Sequence, residues 1–296
     1  MKTLVPNFVF FGSPEFAAVI LEKIIQNGFR PSLVVCNPDK PTGRKKNITS
    51  PPVKTGIMNQ ESRIKNVIKI LQPEKLDKEF RDSLFIIHDS YDFFIVAAYA
   101  KIIPPEILEI PKFGSIGVHP SLLPKYRGAT PIQSAILNDD EQTGVTLFLI
   151  DEKVDHGPII AQKELRGEEL KTMDCKQLSK KLADLGGNLL IETLPKFLAG
   201  EIELEPQNES QAAYTKKIKT EDGFIEEGGL ERAENGRDLE QAKIILRKIR
   251  ALNPEPGVYT FKNGKRTKIL EAEIVDGKLR IKRIHVEGKP RSETLP

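Results

Sequence analysis

With 296 residues, 39% of them apolar and 29% charged, the chain is long enough for a large core in one domain or two. No apolar run approaches the roughly 18 residues that a membrane helix needs, so a transmembrane helix is not expected. Two distant cysteines, Cys36 and Cys175, exclude a disulfide framework and point to a reducing, cytoplasmic setting.

In chain order, FVFF (8–11) reads as a buried strand. The N-terminal stretch runs straight into it, and so reads as structure rather than as a cleaved signal. GSP follows, then a helix with Phe16, Val19, Ile20 and Ile24 on one face; Ser13 is the expected N-cap and Pro14 suits the first turn. SLVVC (32–36) completes a β-α-β unit, the start of a parallel sheet. Further strands are expected at 93–98, 115–118, 143–150 and 158–165, with a helix at 130–138. A long amphipathic helix at 173–199 is expected to be interrupted at Gly186-Gly187. The fold class is therefore α/β, an open and mostly parallel Rossmann-like sheet over residues 1–200. Residues 201–223 are polar, lack apolar periodicity and read as a linker. Residues 224–296 hold a helix at 238–252 and alternating segments broken at Asn263-Gly264 and Asp276-Gly277, as in hairpins; they read as a small OB-like β-barrel.

The net charge of +3 conceals an uneven distribution. From Lys243 to the C-terminus 14 Lys/Arg stand against 6 Asp/Glu, a balance of +8, which leaves −5 for the rest. The stretch KPTGRKKNITSPPVK (40–54) holds five basic residues and no acid. Two such regions suit a polyanion partner, with ordinary solvated surface as the alternative.

The first βα turn, FFGSPEF, has a single glycine and lacks GxGxxG, so no nicotinamide or flavin is expected; GxxxxGK[ST] is absent too. The four histidines and two cysteines have no zinc-ligand spacing, so no metal is expected. His119 ends the strand SIGV, where open α/β sheets place ligands, although a packed core histidine fits the same pattern. Asp155, in DEKVDHGPII, is a second candidate: Gly157 would let the backbone turn tightly and approach a ligand, while loop aspartates often serve only as turn-formers. A His/Asp pair could polarise an amine and relay its proton. His156 could line the same pocket or lie on a surface loop.

HPSLLPKYRGATPIQ, QTGVT and VDHGPI, with VFFGSPEFA, NPDKPTGRKKNITSPPVK, VAAYAKIIP and AKIILRKIRALNPEPGVYT, resemble the 10-formyltetrahydrofolate-dependent formyltransferase family over nearly the whole chain. Within it they resemble the members that act on methionyl-tRNA. The resemblance implies transfer of a formyl group from folate N10 to the α-amino group of methionine on initiator tRNA, for translation initiation, through a tetrahedral oxyanion. The family uses an Asn, a His and an Asp. The His falls on His119 and the Asp on Asp155, but the Asn falls on Gly117, in IGVH. Losing one oxyanion donor typically costs about 2.7–4 kcal/mol. A replacement donor, low activity, or loss of transfer with binding retained are the three readings.

By the same resemblance the folate co-substrate would lie along Val96, Ala97, Ala98, Tyr99 and Ile102 and against Ser121, Leu122, Leu123 and Pro124. Phe10 and Ile103 are further candidate walls, and Tyr126 and Arg127 would border the site. Arg44, Lys45 and Lys46 in the basic loop, with Arg247 and Arg250 on the helix opening the C-terminal module, are the expected tRNA contacts; Lys248 lies beside them. A monomer is expected. Family members usually continue past a VEGK-like strand, so the barrel is expected to be shortened. Formylation of a small amine such as an amino-sugar nucleotide is the alternative within the fold, which the basic loop and IRALNPEPG oppose.

Overall fold

The computed structural model describes residues 6–43, 46–61, 68–88 and 90–295. They run β1 (Phe8–Gly12), α1 (Glu15–Gln26), β2 (Leu33–Val35), β3 (Lys40–Thr42), β4 (Asn47–Thr49), α2 (Pro52–Glu61), β5 (Lys69–Leu71), α3 (Lys78–Ile87), β6 (Phe93–Ala97), α4 (Pro105–Leu108) and β7 (Ser115–His119). Then follow β8 (Arg127–Gly128), α5 (Pro131–Leu137), β9 (Gln142–Leu149), β10 (Ile159–Arg166), α6 (Cys175–Leu198), β11 (Tyr214–Thr215), α7 (Glu227–Glu234), α8 (Leu239–Leu252), β12 (Val258–Lys262), β13 (Lys265–Val275), β14 (Lys278–Val286) and β15 (Glu293–Thr294). They form two compact units. One takes the chain up to Arg127, with Gly144–Leu165 and Ser179–Tyr214; the other takes Gly128–Thr143, Arg166–Leu178 and the chain from Thr215 onward.

The first unit is built on a seven-stranded sheet of order β10-β9-β7-β6-β1-β2-β5. The ladders among β5, β2, β1, β6 and β7 are parallel, and β9 joins β7 antiparallel. β1 is buried at every residue, as a central parallel strand with both faces covered should be. On one face Val9, Phe11, Leu33, Val35 and Phe94 pack with Phe80 and Leu84 of α3 and with Ile103 and Ile107. The chain goes from β1 outward to β2 and β5, then returns to β6 and β7 on the other side. The strand order thus reverses beside β1, and the carboxyl ends of β1, β6 and β7 border that switch point.

Two local expectations are corrected. Ser13 does not cap α1: its Oγ accepts from the Asn37 N–H at 2.9 Å, tying the first βα turn to the end of β2, and Pro14 stands at the cap without a side-chain bond. α6 runs unbroken through Gly186-Gly187. A Cβ on Gly186 would lie 3.1 Å from Val118 Cγ1 and 3.3 Å from Val145 Cγ1, so this glycine lets the helix approach β7 and β9 closely.

In the second unit β12-β13-β14-β15 form a four-stranded antiparallel sheet. Asn263-Gly264 and Asp276-Gly277 make its hairpin turns, all four residues at positive φ. α8 buries Ala242, Ile245, Ile249 and Leu252, and packs on β13 and α5.

Candidate active site

His119 is the last residue of β7 and is buried, because the strand carries it inside the sheet rather than beyond it. Its Nε2 lies 2.8 Å from the Tyr126 carbonyl oxygen. A carbonyl can only accept, so Nε2 carries a proton and donates. Nδ1 then faces Asp155 Oδ2 at 3.5 Å, with side-chain exposures of 7% for His119 and 21% for Asp155. The two candidates, 36 positions apart in sequence, therefore meet. In a neutral ring with that tautomer Nδ1 is the basic nitrogen, and it is the one that faces the carboxylate. Such a pair can take a proton from a nucleophile and hand one to a leaving group.

The backbone around this pair is unusual. Ala98 (φ 47°), Tyr126 (φ 63°) and Asp155 (φ 49°) all adopt the left-handed region without being glycine. Such conformations cluster where a site is held against local preference. Ala98 follows β6, Tyr126 supplies the His119 acceptor, and Asp155 supplies the carboxylate.

Gly117 pairs with Val96 of β6 on one side and with Phe148 of β9 on the other, so the three residues form one row on one face of the sheet. A Cβ on Gly117 would lie 2.3 Å from Phe148 Cε1 and 2.6 Å from its Cζ. The buried Phe148 ring thus fills the space that any side chain at 117 requires. Gly157 also has a tight surrounding, but it approaches the protein rather than a ligand: a Cβ there would stand 1.8 Å from the Leu149 carbonyl oxygen.

The residues expected along the folate divide by exposure. Val96 and Ala97 belong to β6, with Ala97 buried and Val96 half-buried, while Ala98 is exposed. Tyr99 packs edge-on against Phe11 at 5.6 Å, and its hydroxyl is buried with no hydrogen-bond partner among the described residues. Burial pushes that hydroxyl up to about 12. Ile102 is 92% exposed, and Phe10 and Ile103 are buried in the core. Ser121 Oγ donates to the Lys125 carbonyl, Leu123 N–H donates to Thr146 Oγ1 at 3.0 Å, and the Pro124 carbonyl accepts from the Ala213 N–H. Leu122 is half-buried, and its Cδ2 would lie 2.5 Å from a Cβ on Gly144.

Sequence profiles of two families match, Formyl transferase over residues 6–194 and Formyl transferase, C-terminal domain, over residues 239–291. The chain is 41% identical over 276 residues to the methionyl-tRNA formyltransferase of Ligilactobacillus salivarius, covering 92% of this chain and 80% of that one. It is 39% identical over 271 residues to the methionyl-tRNA formyltransferase of Thermotoga maritima, covering 91% and 80%. The chain belongs to the formyltransferase family. Its match is to the methionyl-tRNA formyltransferases within that family. An N-formyltransferase from Helicobacter canadensis, solved with folinic acid and dTDP-3-aminofucose, shares the fold at a TM-score of 0.61 and 19% identity, covering 94% of each chain.

In this formyltransferase the basic candidates are placed unequally. Arg44 and Lys45 lie outside the described residues. Lys46, exposed and at φ 49°, sits in the turn between β3 and β4. Lys54, from the same basic stretch, turns to Asp39 and Gln72 at 2.8 and 2.7 Å. The Gln72 hydrogen bond and then Lys54 hold the Asp39 carboxyl below its ordinary range. Arg247 Nη1 is 3.3 Å from Asp139, and Lys248 Nζ is 3.4 Å from the Phe224 carbonyl. Arg250, expected to offer its charge to RNA, is half-buried and donates to the Met173 and Leu170 carbonyls at 2.9 and 2.7 Å. Burial lowers its pKa. Among the described residues no helix is long and apolar enough to cross a membrane, and no group of three or more His, Cys, Asp or Glu could hold a metal.

Arg127 is the surprise. The residue expected to border the site is 0% exposed. Its Nε and Nη2 donate to Gln207 Oε1 at 3.0 and 2.8 Å, its Nη1 and Nη2 to the two Glu209 oxygens at 3.1 and 2.6 Å, and Nη1 also to the Tyr214 hydroxyl at 3.0 Å. His156 lies between two carboxylates, with Nδ1 at 2.6 Å from Asp151 and Nε2 at 3.5 Å from Glu209. Gln207 and Glu209 went unnoticed in the sequence, where the polar stretch around them carries no apolar period.

Proposed function

We propose that this formyltransferase moves a formyl group from 10-formyltetrahydrofolate to the α-amino group of methionyl initiator tRNA, the step that prepares the initiator for translation. The observation that carries the chemistry is the His119–Asp155 pair, 3.5 Å apart at the carboxyl end of β7. The substrate reading is supported by identity of 39–41% to methionyl-tRNA formyltransferases over nine-tenths of the chain.

The residues that follow β6 suit a folate. The exposed Ile102 offers an apolar surface to cover, and the partnerless Tyr99 hydroxyl can serve a ligand heteroatom. Val96, Ala97, Ala98, Ser121, Leu122, Leu123 and Pro124 would complete that wall. A formylated folate supplies the electrophilic carbon. Tyr126 fixes the His119 tautomer, and the ring and Asp155 hold the proton that the attacking amine must lose and the departing nitrogen must gain. Formyl transfer is assigned to residues 1–200, and the grip on tRNA to the basic loop around Lys46 and to residues 224–296, joined by 201–223. The protein acts as a cytoplasmic monomer.

The ring of Phe148 over Gly117 favours a second reading, a folate- and tRNA-binding homologue with impaired transfer. Single-turnover formylation of charged initiator tRNA separates the two. The expected result is formyl-methionyl product, with a loss of about 10²–10⁴-fold in His119→Ala and in Asp155→Asn. A wild-type rate equal to that of His119→Ala would leave only the second reading.

A further inference from the structure

The Arg127 cluster is more than a buried ion pair, because its other side reaches the Asp155 turn. Gln207 gives its Oε1 to Arg127 and turns its Nε2 to two backbone carbonyls, Asp155 at 2.9 Å and Gly157 at 2.8 Å. Those carbonyls bracket His156, whose ring is held by Asp151 and Glu209. Arg127 also directly follows Tyr126, whose carbonyl accepts the hydrogen bond from His119 Nε2–H. One guanidinium is thus tied by the chain to the acceptor that orients the imidazole, and through Gln207 to the turn that carries the carboxylate. Asp155 sits in the left-handed region, which a loop aspartate keeps only while neighbouring bonds hold it there.

We propose that Gln207, clamped by the buried Arg127, is a positioning residue that sets where the Asp155 carboxylate stands relative to His119. This rests on the formyl-transfer reading. Gln207 touches no substrate in this role; it acts through the Asp155 backbone. The amide is suited to the task because it accepts from Arg127 with one end and donates to carbonyls with the other, which a carboxylate or a hydrocarbon cannot do.

That asymmetry gives the test. Gln207→Glu keeps the acceptor toward Arg127 and removes both donors toward the turn; Gln207→Met removes both ends at similar length. The readouts are kcat of formylation, KM for tRNA and for the folate donor, and the thermal midpoint. Gln207→Glu is expected to lose about 10²-fold in kcat, the effect of roughly 1 Å of misplacement, with both KM values unchanged. In an Asp155→Asn background the same substitution is expected to cost nothing further, since two residues acting as a unit are not additive.

Wild-type kcat in Gln207→Glu overturns the proposal. So do equal fold-losses in both backgrounds, or failure of both Gln207 variants to fold, which would assign the residue to stability alone. An inert wild-type enzyme sinks the transfer reading itself, and the positioning role with it. An active wild type with an indifferent Gln207 sinks only the latter.

Discussion

The carboxyl end of the parallel sheet and the C-terminal four-stranded sheet treat charge in opposite ways. At the first, Arg127 is fully buried, and its nitrogens donate to Gln207, Glu209 and Tyr214. On the second, Lys262, Lys265, Arg280, Lys282 and Arg283 are exposed. The pairs they make, such as Lys282–Glu273 and Arg283–Glu271 at 2.6 Å, are of the kind worth about 0–1 kcal/mol each. The difference teaches what a cation does once its burial is known. A buried guanidinium fixes geometry, and salt scarcely touches it. An exposed one contributes to a field that salt screens. Substitutions in the first region should therefore be read in rate and melting temperature, and those in the second in ionic-strength dependence.

The sharpest way to break that contrast is at Gly117. Were the site loosely packed, restoring the family's asparagine would help. With the Phe148 ring 2.3 Å from the incoming Cβ, Gly117→Asn is expected instead to slow single-turnover formylation by about tenfold or more, equivalent to about 1.4 kcal/mol on the barrier. Overpacking should also destabilise the fold by about 1–3 kcal/mol, visible as a lower melting temperature. Adding Phe148→Leu removes the ring atoms that clash, so the double variant should recover part of both losses. A single variant that melts like wild type and reacts as fast would mean that the ring swings aside freely and that packing does not govern this end of the sheet.

Arg250 sharpens the comparison from the other side, because it lies in the basic C-terminal portion yet is placed like Arg127. Its bonds to the Met173 and Leu170 carbonyls predict that Arg250→Ala costs stability, about 1.5–3 kcal/mol for a charged donor, while leaving the salt slope of tRNA affinity unchanged. Lys262→Ala with Lys265→Ala should do the reverse: an unchanged melting temperature, and a slope of log affinity against log salt shallower by about one for each phosphate no longer neutralised. A flatter slope and normal stability in Arg250→Ala would return that residue to the RNA surface.

Much of this was legible in the sequence. The parallel strands β1, β2, β6 and β7, the α8 helix and the two hairpins follow from apolar period and turn chemistry, which are local; the short edge strand β5, three residues long, carries too little period to be read. His119 and Asp155 could be nominated from their positions and from the family resemblance. Their meeting, however, depends on β7 pairing with β9 and on the turn after β9, neither of which is local. The coupling of Gly117 to Phe148 is register information of the same kind. Ser13 looked like a cap because its pattern with Pro14 suits one, but Asn37 of the next strand took its oxygen. Burial of a cation leaves no mark in sequence either, so Arg127 read only as a border of the site and Arg250 as a contact for RNA. Gln207 sat in a polar stretch that read as a linker, because its work is done by hydrogen bonds and those have no period.

Glu209 carries the smallest expected effect and tests whether an exposed carboxylate can belong to the buried region. Its hydrogen bonds to Arg127 hold its pKa below the ordinary 4.5, with His156 and Lys153 adding to the same direction. In the unfolded chain the group titrates near its ordinary value. The folded state therefore binds this proton less readily, and the pair stabilises the fold at any pH above 4.5. That contribution is lost as pH falls below 4.5 through the lowered folded value, where the carboxyl protonates and releases Arg127. Glu209→Gln has no such charge to lose. The melting temperature of wild type should exceed that of the variant above pH 4.5, and the gap should close on acidification below it. Solvent screens the exposed carboxylate, so the gap will be modest, and raising the salt at neutral pH offers a second reading. A gap insensitive to salt would place Glu209 with Arg127 as geometry, whereas one that salt erases would place it with the lysines of the C-terminal sheet.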